Sequence, residues 1–153
     1  MSLSYVHGDL LEQHVDAIVN AWNRNVIPWW LLLPQGVSAA IKRRAGNLPF
    51  RELGNRPMPL GSARHTSAGN LPFRGIIHVA ALDMLWRASS DSIARSARAA
   101  CELALAFGYR SLAMPLLGSG TGGLPAHRAI EAIAKAIGAY DQRLEIRLVR
   151  FAA

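Results

Sequence analysis

The chain has a single cysteine, Cys101, among 153 residues. No internal disulfide can form, so nothing in the fold depends on an oxidising compartment. Acidic side chains are scarce as well: ten Asp and Glu stand against 17 Lys and Arg, leaving a formal charge of +7. That balance favours anionic partners such as phosphates or nucleic acid, and it equally suits a surface kept soluble by its charge. Long apolar runs are missing. The most apolar stretch, residues 26–34 (VIPWWLLLP), is broken by proline and is about half the length that spans a bilayer. The opening MSLSYVHGDLL lacks the basic segment, apolar run and small-residue cleavage site of a signal peptide. A cytoplasmic protein without membrane attachment is therefore expected. The histidines His7, His14, His65, His78 and His127 show no ligand spacing among themselves or with Cys101, so neither a metal nor a cofactor is expected.

What is present alternates between strand-like and helix-like segments, the pattern of an α/β domain with helices covering a sheet. The aliphatic and β-branched runs predict strands over residues 3–6, 16–20, 63–67, 75–81, 111–116 and 144–151. Helices are predicted over residues 37–45, 92–107 and 126–140. In the second of these, Ile93, Ala97, Ala100, Ala104 and Phe107 recur at steps of three and four. Cys101 falls beside that stripe and reads as a small buried hydrophobe rather than a reactive thiol. No linker or low-complexity tract divides residues 1–153, so one domain is expected. The heptapeptide AGNLPFR occurs twice, from Ala45 and from Ala68. Each copy reads as a Gly-Asn turn feeding an extended segment, which predicts the same local geometry in both.

The segment from Pro115 to Pro125, PLLGSGTGGLP, carries the most chemistry. Gly118, Gly120, Gly122 and Gly123 let a backbone approach a ligand closely. With Ser119 and Thr121, and with a helix beginning after Pro125, the amides of this loop suit a diphosphate. The lysine of a phosphate-binding P-loop is missing, and so is the spacing of a dinucleotide fingerprint. Near the start of the chain Asp9 follows Gly8 after the first strand, where its carboxylate suits a base amino group or, equally, caps a turn. Asn20 and Asn23 end an apolar strand, the position at which open α/β sheets place ligand contacts. Asn23 suits a ribose hydroxyl or an attacking water, and a turn-stabilising role is the alternative.

Taken in order, Gly8-Asp9-Leu10, the run Asp16-Ala-Ile-Val-Asn-Ala-Trp-Asn23, Gly36-Val37 before a helix, Ile76-Ile77-His78 and the glycine loop before Leu124-Pro125 resemble macro domains across nearly the whole chain. The resemblance implies a three-layer α/β/α sandwich with a mixed, mostly parallel sheet and an ADP-ribose cleft over the strand ends. It implies Asp9 for the adenine amino group with Leu10 beside it, and Asn23 for the distal ribose. Gly36 and Val37 match one wall of the diphosphate site and Gly118 through Gly123 the other. Phe151 is similar in position to an aromatic that stacks on adenine.

The departures bear on mechanism. Ser38 stands where many hydrolytic members have an aspartate, within Leu33-Pro-Gln-Gly-Val-Ser38. Gly122 resembles the branch that removes terminal ADP-ribose from glutamate, yet that branch's lysine and aspartate have no counterpart, and Lys42 reads as a surface charge. Trp29 and Trp30 extend the first loop, either as a lid on the distal ribose or as core or subunit packing. Three functions follow. One is an ADP-ribosyl hydrolase in which Asn23 or Gln35 positions water, with acid–base help from the substrate, His65 or His78, although His78, among apolar strand neighbours, reads as a structural residue. The second is a reader that binds free or protein-linked ADP-ribose without catalysis. The third is a nucleic-acid binder using the basic surface, although basic and aromatic residues do not interleave as in a single-strand platform.

Overall fold

The computed structural model describes residues 3–23, 36–54, 58–82, 88–117 and 123–151. Six strands form one sheet: β1 (Leu3–Gly8), β2 (Ala17–Asn23), β3 (Ala63–Thr66), β4 (Gly75–Leu82), β5 (Ser111–Pro115) and β6 (Glu145–Phe151). Their order is β1-β6-β5-β2-β4-β3. The first five in that order run parallel, and β3 is antiparallel to β4. Parallel pairing demands crossovers, which the helices α1 (Gly36–Ala45), α2 (Leu48–Leu53), α3 (Ser90–Ala106) and α4 (Ala126–Ile137) help to supply.

Both faces of the sheet are covered, because successive residues on its central strands point to opposite cores. Val19, Ile77 and Leu112 pack with Ile93, Ala97 and Ala104 of α3 and with Ile133 and Ile137 of α4. Their neighbours Ile18, Ile76 and Ala113 pack instead with Ile41 and Ala45 of α1 and Phe50 and Leu53 of α2. The result is the expected three-layer α/β/α sandwich. Cys101 is fully buried in the first core, and burial pushes its thiol up to about 12. No helix among the described residues is long and apolar enough to cross a membrane.

Helix ends differ from the periodicity by one to three residues, the most at α4, which stops at Ile137 before the Gly138 cap instead of at residue 140. Ser89 caps α3 through a reciprocal pair of 3.0 Å bonds, its hydroxyl accepting from the Ser92 amide and the Ser92 hydroxyl from the Ser89 amide. The helix therefore starts at Ser90 rather than Ser92. It stops at Ala106 because Gly108 takes φ +76° just beyond the Phe107 cap.

The two copies of AGNLPFR do not share one geometry. The first continues into α2, where Pro49 sits in the first turn and needs no intrahelical partner for its nitrogen. The second remains a turn that leads into β4. Tertiary contact separates them: the Asn70 amide of the second copy donates to the Ala45 carbonyl of the first at 3.0 Å. Gly69 has φ +58°, and a Cβ there would collide with that same carbonyl oxygen. Gly69→Ala is therefore expected to cost about 2–3 kcal/mol. Gly108→Ala, also at positive φ but with open space around it, should cost about 1 kcal/mol. Urea unfolding of the two variants measures the difference, and equal losses would contradict the clash.

Candidate functional site

Five parallel strands bring their C-terminal ends to one rim of the sheet, where open α/β folds bind ligands. The register fixes which residues meet there. Gly8 pairs with Phe151, so Asp9 leaves β1 beside the end of β6. β5 ends at Pro115 and runs towards the glycine loop, while β2 ends at Asn23 opposite Leu82 after a bulge. α1 begins at Gly36 and Val37, closing the crossover from β2. Gly123 emerges from the glycine loop exposed, at φ +73° and with open space where a side chain would be. Residues 118–122, Gln35, Trp29 and Trp30 lie outside the described residues, as do the side chains of Asn23, Val37 and Phe151.

Asp9 is held in place by a local bond. Its Oδ1 accepts from the Leu11 amide at 2.9 Å, capping the 3-10 turn Leu10–Glu12. Oδ2 lies 4.0 Å from Arg44 Nη1, and the side chain is 44% exposed. Arg44 itself bonds Glu12 at 2.9 Å, which places a guanidinium beside the rim without neutralising Asp9 alone. Leu10 is 4% exposed and packs in the α1–α2 core, so it supports Asp9 from below more than it lines a surface.

Asn20 sits inside the protein, not on the rim: it is 0% exposed and both ends of its amide are engaged. Its Nδ2 lies 2.9 Å from His78 Nδ1, and its Oδ1 accepts from the Ser38 hydroxyl at 3.0 Å. His78 Nε2 lies 2.9 Å from Thr66 Oγ1, which donates to the Ser67 carbonyl at 3.0 Å. This setting agrees with a structural role for His78 and leaves it no part in acid–base chemistry. Burial pushes its pKa down to about 3, with a smaller contribution from His65, so the ring stays neutral near pH 7 and has no solvent access. His65 is excluded on position. It pairs with Ile77 near the start of β4, bonds Tyr109 Oη at 2.7 Å and stacks on Phe107, all at the opposite rim. Lys42 lies 6.0 Å over the Phe50 ring, in keeping with a charge on a helix face.

The buried chain from Ser38 to Thr66 was not legible as a unit. Its trace in the sequence is polar residues, Asn20 and His78, inside otherwise aliphatic strands, but only the β2–β4 register shows that they face one another.

The family model described as Macro domain matches residues 19–133. A macro domain-containing protein of Methanosarcina mazei is 32% identical over 144 residues, covering 91% of this chain and 73% of that protein. Another, from Vibrio parahaemolyticus, is 35% identical over 137 residues, covering 85% and 78%. Among solved structures, the Oceanobacillus iheyensis macrodomain with ADP shares 27% identity at a TM-score of 0.81, covering 98% of this chain and 83% of that one. The Trypanosoma brucei macrodomain in complex with ADP-ribose shares 26% at a TM-score of 0.77, covering 97% and 63%.

Proposed function

Because the chain belongs to the macro domain family, we propose that it binds ADP-ribose across the C-terminal rim of its sheet and hydrolyses ADP-ribosyl linkages on modified macromolecules. One observation carries the binding half: the strand register gathers Asp9, the end of β6, the end of β2, the start of α1 and the exit of the glycine loop on one rim. In this reading Asp9 Oδ2 accepts from the adenine amino group and Phe151 stacks on the base. The amides of Gly36, Val37 and residues 118–123 take the diphosphate, and Asn23 holds the distal ribose.

Hydrolysis needs a water placed at the anomeric carbon. Asn23 and Gln35 orient it; its oxygen bonds to that carbon as the bond to the modified group breaks. The departing group keeps the electron pair and gains the proton the water gives up. With His78 neutral and interior and His65 on the far rim, proton transfer falls to the substrate's own diphosphate, and positioning supplies most of the rate. The placement of both histidines also favours a second reading, a module that binds ADP-ribose without cleaving its linkage. The basic surface offers nucleic acid as a carrier of the modification.

Incubation with mono-ADP-ribosylated protein separates the two. Hydrolysis predicts release of ADP-ribose, slowed at least tenfold in Asn23→Ala when that variant still binds. Tight binding with no release by the wild type would leave the reader.

A further inference from the structure

Three rings stack at the rim opposite the C-terminal strand ends, and the stack reaches solvent. His65 lies on Phe107 with ring centroids 3.7 Å apart and planes 17° apart, and Phe107 stacks at 21° to Tyr109. Two features hold the rings in place. His65 Nε2 and Tyr109 Oη are 2.7 Å apart, and both pack against Gly75, where a Cβ would collide with each. Tyr109 is buried and His65 half-buried, but Phe107 is 50% exposed. Part of a rigidly supported phenyl ring is thus open to a further planar group.

Arginines flank the rings. Arg74 directly precedes Gly75 and Arg110 directly follows Tyr109, and both are exposed. Burial raises the Tyr109 pKa while the Arg74 charge opposes the rise, which puts that guanidinium near the ring. Among the described residues neither guanidinium has a carboxylate within 4.0 Å. The two carboxylates that border the patch are engaged elsewhere: Asp16 Oδ2 accepts from the Arg110 amide, and Glu52 from the amide and hydroxyl of Ser67, each at 2.7 Å. Basic and aromatic residues that do not interleave along the sequence are therefore brought together by β3, the turn before β4 and the α3–β5 loop. We propose that this rim is a second binding site, for single-stranded nucleic acid: an unpaired base stacks on Phe107 while Arg74 and Arg110 take the flanking phosphates. The formal charge of +7 suits a polyanion. A duplex keeps its base faces covered, so the site selects single strands. An acidic peptide would engage the guanidiniums without needing the ring. The site lies at the other end of the strands from the ADP-ribose reading and does not depend on it.

Fluorescence anisotropy with a labelled oligothymidylate of about 12 nucleotides tests it. The wild type should bind the single strand more tightly than the same strand paired with oligoadenylate. Phe107→Leu keeps an apolar cover over His65 but has no ring face, and should weaken binding about tenfold, whereas Phe107→Trp should retain it. Arg74→Gln combined with Arg110→Gln should lower the slope of log affinity against log salt by about 1. Amide shifts of the wild type with the oligonucleotide, which need no variant, should centre on His65, Phe107 and Tyr109. No binding, equal binding of the duplex, an affinity unmoved in Phe107→Leu, or shifts centred on the C-terminal rim would overturn the site. A glutamate peptide that binds the same rim as tightly would overturn nucleic acid as its occupant.

Discussion

Acidification from pH 6.5 towards pH 3 is expected to cost the fold about 4 kcal/mol through His78 alone. The sign follows from the two states. Above pH 6.5 the ring is neutral both folded and unfolded and contributes no pH dependence. Below it the unfolded chain takes up a proton that the buried ring, with its pKa pushed down to about 3, refuses, so stability falls as pH falls through this window. His65, also lowered by burial, acts in the same direction. Such a loss is a large part of the roughly 5–15 kcal/mol that holds a domain folded. His78→Gln isolates the effect, since its amide can accept from Asn20 and donate to Thr66 without titrating. Urea unfolding at several pH values should show a shallower acid slope in His78→Gln than in wild type. His78→Leu, which strands the Asn20 nitrogen and the Thr66 oxygen inside the protein, should lose about 3 kcal/mol even at pH 7. An acid slope unchanged in His78→Gln would contradict a neutral buried ring.

Asp9→Ala should weaken ADP-ribose binding about thirtyfold, the loss of one charge-assisted hydrogen bond of about 2 kcal/mol. Because Oδ1 caps the Leu10–Glu12 turn, the variant also loses about 1 kcal/mol of stability. Asp9→Asn separates these effects: its side-chain oxygen can keep the cap, but it brings no negative charge to the adenine amino group. Calorimetric titration of the three proteins measures the order, with Asp9→Asn between wild type and Asp9→Ala. An Asp9→Ala protein that binds as tightly as wild type would remove Asp9 from the site.

The central strands were legible because each carries an aliphatic run that the sheet buries on both faces, as with Ile18 beside Val19 and Ile76 beside Ile77. α3 was legible from its three-and-four spacing, and its true start required the Ser89 cap. α2 was hidden because LPFREL reads as a proline-limited extension, and the contact of Ala45 with Asn70 separates the two copies of the heptapeptide only in three dimensions. The same limit applies at the site. Asp9 could be picked out, as a ligand contact or a turn cap, from its place after a strand and a glycine, but the nearby Arg44 depends on tertiary packing that brings α1 alongside. His65 lies between Arg64 and Thr66 and His78 between Ile77 and Val79, so the sequence marks His78 as the more buried of the two but not its partners. Register alone sends one to the far rim and seals the other between Asn20 and Thr66.

The most direct test of the account is the map of backbone amide shifts as ADP-ribose is titrated into the labelled protein. Binding at the C-terminal rim predicts saturable changes at Gly8 to Leu11, Asn23, Gly36 to Ser38, Gly123 and Phe151, with Tyr109 and the other residues of the opposite rim unmoved. No saturable change, or changes centred on His65 and Tyr109, would contradict it.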